Sequence, residues 1–142
     1  IPNASAVIFK KELVTNQTFT NSLLNMRMCG DWFFWIQTCK DTEDVAFVSK
    51  SLNYFRNHKA ISRNHKTLNI KKQRLLEESY IRRFSFNQYG LKNALKEKKL
   101  YKKWFRLHSI LAVFQPNFYT ICMPQTNQIS LLLKFFKHKL NR

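Results

Sequence analysis

Hydrophobic residues recur at a helical period through the second half of the chain. From Thr67 onward, leucines and aromatic residues three or four positions apart alternate with Lys and Arg, which predicts a helix that stops at Gly90. A second helix is predicted over residues 91–114, with its apolar residues at a 4-3-4-3 spacing before Pro116. Residues 117–127 have no clear period, which predicts a loop.

The last stretch, about residues 129–140, predicts an amphipathic helix. Its predicted apolar stripe contains Ile129, Leu132, Leu133, Phe136 and Leu140, flanked by Lys134, Lys137, Lys139 and Arg142. Such a helix could lie on an anionic bilayer or pack against Trp104 and Leu111. The pattern alone does not separate these two interpretations.

Short apolar runs in the first half are typical of β-strands. Strands are predicted at residues 4–9, 45–48 and 52–55, with polar and partly helical chain between the first strand and residue 25. A helix is predicted after Asp31, to about residue 40. Its buried face is predicted from the i, i+3, i+4, i+7 spacing, and its members are Trp32, Trp35, Ile36 and Cys39.

Asp31 stands at the predicted N-cap of that helix, directly after Gly30 and before the densest aromatic cluster of the chain. One interpretation is that its carboxylate only caps the helix. The other is catalytic, because a fixed carboxylate beside two indole rings suits a base that faces a sugar hydroxyl.

The chain has 142 residues, 44% of them hydrophobic, which is enough for one modest domain with a core. It starts at Ile1 as if in mid-fold, so we expect a fragment whose N-terminal part is missing. No apolar run approaches the roughly 20 residues of a membrane span. Three cysteines without a CxxC pair favour reduced thiols in the cytosol.

The net charge of +17 is concentrated in the second half of the chain. Residues 1–60 hold seven Lys and Arg against five Asp and Glu, whereas residues 61–142 hold eighteen against three. One interpretation of this distribution is an anionic partner, which would be a membrane surface or a nucleic acid. The other is a helical surface that is simply solvated.

Three segments in order make a more specific pattern. They read IPNASAVIFKK, GDWFFWIQ and AFVSKSLNYFRNH, followed by a loop with serine. Together they resemble family-two glycosyltransferases of the GT-A fold. The resemblance implies an α/β, Rossmann-like fold: residues 1–66 would be the C-terminal, acceptor-side half of that nucleotide-diphospho-sugar transferase domain. Residues 67–142 would be a basic extension of amphipathic helices.

The resemblance also implies roles on the acceptor side. Asp31 matches the base of the family's ED element, although Gly30 replaces the preceding acid. Trp32 would lie close to the acceptor. Asn3 and Ser5 would lie on the strand that forms the floor of the acceptor site. The implied reaction moves a sugar from a nucleotide-diphosphate donor to a hydroxyl of a glycan or lipid-linked acceptor, with inversion, in bacterial surface polysaccharide synthesis.

On the donor side, the resemblance implies that Arg56 lies beside the diphosphate and that His58 joins the diphosphate and a divalent cation, Mn or Mg. From the residues alone, His58 is equally a surface histidine at a strand end, and Arg56 a structural arginine. The family's metal-binding DxD and nucleotide-binding half do not occur in the chain. We therefore expect the chain alone to be inactive and prone to pair through an open sheet edge as a homodimer.

Two rival interpretations remain open at this stage. The charge and the aromatic residues also suit a nucleic-acid-binding module, although no helix-turn-helix, zinc-finger or RRM-like signature occurs. A plain interaction domain would use the aromatic residues only as core. The glycosyltransferase interpretation places the protein in the cytoplasm, peripheral on the inner face of the cell membrane, with nucleic acid an unfavoured partner.

Overall fold

The computed structural model describes residues 7–39, 42, 46, 48, 50 and 67–141. The contacts within the chain divide it into two compact units, residues 1–64 and residues 65–142. Each unit is described by itself below. Whether the first unit is the acceptor half of a transferase domain stays a prediction.

The first unit consists of short helical segments in its described part. Two 3-10 turns, Lys11–Leu13 and Asn16–Thr18, precede helix α1, Asn21–Leu24, and helix α2, Gly30–Thr38. The hydroxyl oxygen of Thr20 accepts the N–H of Leu23 at 3.2 Å and so caps α1. The predicted helix after Asp31 is therefore confirmed, and it starts two residues earlier than predicted, so that Asp31 lies inside its first turn.

The predicted α/β, GT-A class is wrong for the described part of the chain, which contains helices and no strand. Residues 7–9 and the described positions 46 and 48 have irregular backbone, so the predicted strands at 4–9 and 45–48 do not form there. Ile8 is fully exposed. A strand needs a neighbour that pairs with its N–H and C=O groups, and apolar content alone does not supply one. The predicted strand at 52–55 lies outside the described residues.

The second unit is a helical module around one apolar core. Helix α3, Leu68–Tyr89, and helix α4, Ala94–Arg106, are followed by two 3-10 segments, Ile110–Phe114 and Pro116–Ile121, and by helix α5, Gln128–Leu140. The predicted first and last helices of this half are confirmed. Thr67 caps α3 through its hydroxyl, and Gly90 ends it in the left-handed conformation at φ 63°.

Helix α4 is shorter than the predicted helix over 91–114, and hydrogen bonding at its end explains why. The carbonyl of Trp104 accepts the N–H of Leu107 at 3.0 Å, and Nδ1 of His108 lies 2.9 Å from the same oxygen. The N–H of His108 turns instead to Phe105, at 3.4 Å. Because a side chain occupies the carbonyl that the next turn requires, the helix ends and 3-10 backbone follows.

The core of this unit is filled by α4, α5 and the stretch predicted as a loop. Its largest fully buried members are Leu100, Trp104, Phe118, Ile121, Leu131 and Phe135. The indole N–H of Trp104 donates to the carbonyl of Phe118 at 3.1 Å. Arg83 of α3 donates to the carbonyls of Thr120 and Cys122, and burial lowers the pKa of its guanidinium. Residues 116–123 are therefore part of the core and not a peripheral loop.

Candidate functional site

Helix α2 is fixed in the first unit by a cluster of aromatic rings. The ring of Trp35 lies 5.2 Å from that of Phe9 and 5.0 Å from that of Phe34, in edge-to-face geometry. Phe34 also contacts Phe19 at 6.2 Å, and Phe33 is completely buried. These contacts hold the start of α2 in a defined position, because aromatic pairs favour such geometries beyond their buried area.

The sequence predicted Asp31 as the N-cap of α2, and this prediction is wrong. Asp31 lies in the first turn of the helix. The N-cap residue is Cys29, whose side chain makes no capping bond. Asp31 is exposed, and its Oδ1 accepts the N–H of Trp32 at 2.8 Å. This N–H is one of the first-turn groups without a partner inside the helix. The carboxylate is therefore oriented by its own backbone and favoured there by the helix dipole, with its remaining lone pairs toward solvent.

Trp32 is 38% exposed, so its predicted place on the buried face is wrong. The buried residues of α2 are Phe33, Trp35, Gln37 and Thr38. Both Phe33 and Trp35 are buried, whereas Trp32 is not. As a result, the side chains of Asp31 and Trp32 share the exposed start of the helix.

Trp35 adds a feature that sequence analysis missed. Its indole N–H is buried and has no hydrogen-bond partner within the described residues. Leaving a buried donor unsatisfied costs about 1–3 kcal/mol. Periodicity predicted that this ring is buried, but no sequence signal indicates whether a buried indole finds an acceptor.

Gly30 does not stand at the helix start for steric reasons. A Cβ atom built on Gly30 would lie 3.7 Å from Cβ of Met26, an ordinary contact, and its φ is not in the left-handed region. A side chain could therefore begin at position 30, where the resemblance places an acid and this chain has Gly30.

The other predicted site residues cannot be placed beside Asp31. Asn3, Ser5, Arg56 and His58 lie outside the described residues. No group of three His, Cys, Asp or Glu side chains that could hold a metal ion occurs in the part of the chain that the structure describes. The predicted Mn or Mg site therefore has no support from the described residues, and we derive no step through a cation.

Two titratable side chains of the second unit serve its core. His108 packs 4.1 Å from the ring of Trp104, and burial lowers its pKa against the opposing effect of its bond to the Trp104 carbonyl. Burial has the opposite effect on Cys122, where it raises the pKa of the thiol. A thiol kept protonated is a poor nucleophile, so Cys122 is not a nucleophile candidate.

The chain has no significant match among protein-family models, curated proteins or solved structures. Within the described residues, no helix is long and apolar enough to cross a membrane. The functional argument therefore rests on the chemistry of the site itself.

Proposed function

We propose that the first unit carries the acceptor-side base of an enzyme that transfers a sugar from a nucleotide-diphosphate donor to a hydroxyl, with Asp31 as that base. One observation carries the proposal. An exposed carboxylate, oriented by the N–H of Trp32 at 2.8 Å, stands next to a partly exposed indole on an aromatic-anchored helix. The resemblance of the sequence segments to family-two glycosyltransferases supports the same role.

The side chains of Asp31 and Trp32 suit the chemistry of sugar transfer to a hydroxyl. An attacking hydroxyl becomes nucleophilic when a base removes its proton in the transition state, and a carboxylate within hydrogen-bond reach serves this purpose. The indole of Trp32 offers an apolar face with a polar edge, which suits a ligand that is apolar on one side and hydroxylated on the other. Attack opposite the leaving diphosphate inverts the anomeric carbon.

The proposal does not depend on the GT-A fold, which the structure contradicts. Function belongs to a site and the same chemistry occurs on unrelated folds, so Asp31 and Trp32 could serve these roles on a helical unit. A bacterial surface polysaccharide is the acceptor class that the sequence resemblance suggests. Arg56 and His58, as donor-side residues with a divalent cation, remain part of this proposal.

We expect the 142-residue chain by itself to transfer no sugar. The sequence contains no DxD motif and no nucleotide-binding half of the family, and correct positioning of two reactants is worth about 7–11 kcal/mol in well-oriented reactions. None of the three cysteines is in a disulfide among the described residues, which favours a reducing compartment, and we place the activity in the cytoplasm. Nucleotide-sugar binding by this chain alone would contradict this part of the proposal.

Acceptor binding provides the direct test on the chain as it stands. Saturation-transfer NMR against a set of oligosaccharides should show transfer from aromatic protons of the protein. Trp32→Ala should reduce the signal, whereas Phe114→Ala, which removes an exposed aromatic ring of the second unit, should not. Absence of saccharide binding, or binding that is insensitive to Trp32→Ala, would contradict the acceptor site.

A further inference from the structure

Helix α5 has one apolar face that the core of its unit already covers. Leu131 and Phe135 are fully buried, and the Phe135 ring lies 5.3 Å from Phe105 and 5.0 Å from Phe118. Leu132 packs at the border of this face. The buried face of α5 is therefore formed by Leu131 and Phe135, and of the predicted apolar stripe only Leu132 packs against the core.

The same helix carries a second apolar face that the unit leaves exposed. We call it the outer stripe: Ile129, Leu133, Phe136 and Leu140, which are 69%, 67%, 41% and 86% exposed. Their spacing of four, three and four residues puts them in one row, and at about 100° per residue this row lies opposite Leu131 and Phe135. The alternative of packing against Trp104 and Leu111 does not hold for the outer stripe.

Lysines stand at both borders of the outer stripe. Lys137 lies on one side by helical register and Lys139 on the other, whereas Lys134 lies nearer the buried face. The ammonium of Lys134 lies 5.4 Å from the ring of the buried Tyr101. That of Lys139 lies 5.2 Å from the ring of the buried Phe135 and donates to the carbonyl of His108 at 2.6 Å, so both ammonium groups contact their own unit. Lys137 is exposed. An apolar row edged by cations is the pattern of a helix that lies in a membrane interface.

The neighbouring 3-10 segment adds apolar surface at one end of α5. Ile110, Leu111 and Phe114 are all exposed. Because Lys139 is bonded to His108, the C-terminal end of α5 lies beside the start of this segment. The exposed apolar residues of the unit are thus not confined to a single helix turn.

We infer that the outer stripe docks on the surface of an anionic lipid bilayer. Residues 67–141 carry fifteen Lys and Arg against three Glu, a net +12, so a second copy would meet strong like charge. The stripe contains only one aromatic ring, and aliphatic side chains give phosphates and bases little to bind, which argues against nucleic acid. Anionic lipid satisfies both features, since its acyl region accepts the stripe and its headgroups attract the lysines. This inference is independent of the proposed chemistry at Asp31.

Vesicle co-sedimentation of the 142-residue chain tests the inference. Vesicles of phosphatidylcholine alone would be compared with vesicles that contain about 30% phosphatidylglycerol, at low and at high salt. The test variant is Leu133→Gln with Phe136→Gln. The matched control is Leu91→Gln with Leu95→Gln, which removes two leucines of similar exposure away from α5. Circular dichroism should show that both variants are folded, because the replaced side chains are exposed. If the outer-stripe double variant does not fold, the single variant Leu133→Ser replaces it.

We expect binding that rises with anionic lipid, falls with salt, and weakens roughly 10-fold to 100-fold in the outer-stripe variant while the control binds normally. Three results would overturn the inference. They are absence of vesicle binding, equal binding to neutral vesicles, and equal weakening by both variants. Binding that RNA competes away and that ignores the outer-stripe variant would assign the charge to nucleic acid. A dimer in analytical ultracentrifugation that the variant abolishes would assign the stripe to a second copy.

Discussion

The same substitution, Trp→Phe, can be compared at the three tryptophans of the chain, which lie in three different environments. Trp104 is buried and its N–H donates to the Phe118 carbonyl at 3.1 Å. Trp35 is buried, and its N–H has no partner among the described residues. Trp32 is exposed. If burial alone determined stability, the first two variants would lose the same free energy of unfolding.

Hydrogen bonding predicts that they differ. Trp104→Phe leaves a cavity, worth about 1–2 kcal/mol, and deprives a buried carbonyl of its donor, worth about 1–3 kcal/mol more. We therefore expect a loss of about 2–5 kcal/mol. Trp35→Phe leaves a similar cavity but removes an unsatisfied donor of about 1–3 kcal/mol, so its net change should lie between a loss of about 1 kcal/mol and a gain of about 2 kcal/mol. Trp32→Phe should change stability by less than about 0.5 kcal/mol.

Hydrogen exchange followed by mass spectrometry measures these changes in each unit separately, because peptides from residues 7–39 and 67–141 report their own opening free energies. Urea unfolding monitored by circular dichroism gives an independent value for the whole chain. If Trp35→Phe destabilised its unit as much as Trp104→Phe destabilises the other, the indole of Trp35 would have an acceptor and this reasoning would be refuted.

Two further predictions concern backbone conformation and pH. Gly90→Ala should cost about 1–2 kcal/mol in urea unfolding because φ is 63°, whereas Gly30→Ala should gain about 0.4–1 kcal/mol; equal effects would contradict the cap geometry. Burial lowers the pKa of His108 in the folded state, so its contribution to stability is present above its ordinary value of about 6.5 and is lost as pH falls through the folded pKa. His108→Gln should flatten this acid-side slope in unfolding measured between about pH 8 and pH 5, and an unchanged slope would exclude His108 as its source.

The sequence predicted elements well where local signals agree. Helix α3 combines a capping Thr67, a helical period and a terminal Gly90, and each of these signals acts on backbone groups within a few residues of itself. The end of α4 was not predictable in this way, since it depends on the side chain of His108 taking the Trp104 carbonyl. Strand formation was mispredicted because it depends on a distant pairing partner, which an apolar run cannot reveal.

The candidate site was predicted only in part, for a related reason. The position of Asp31 at the start of a helix follows from its neighbours, but the direction in which Trp32 points follows from which residues reach the core. The helix begins at Gly30, and Phe33 is buried while Trp32 is exposed. An apolar period places residues on a shared face, but which face becomes buried depends on the segments that pack against it.

Turnover of the Asp31→Asn variant tests the central claim most directly. Asn keeps an oxygen that can accept the N–H of Trp32, so the helix start and folding should be unchanged, but it cannot take the acceptor's proton. The measurement is sugar transfer by the cellular protein that contains these 142 residues, at saturating donor, with Glu12→Gln as a control for the loss of an exposed acid in the same unit. We predict that kcat falls by roughly 10²–10⁴ in Asp31→Asn and stays unchanged in the control. Transfer by Asp31→Asn at a near-normal rate would contradict the assignment of Asp31 as the base.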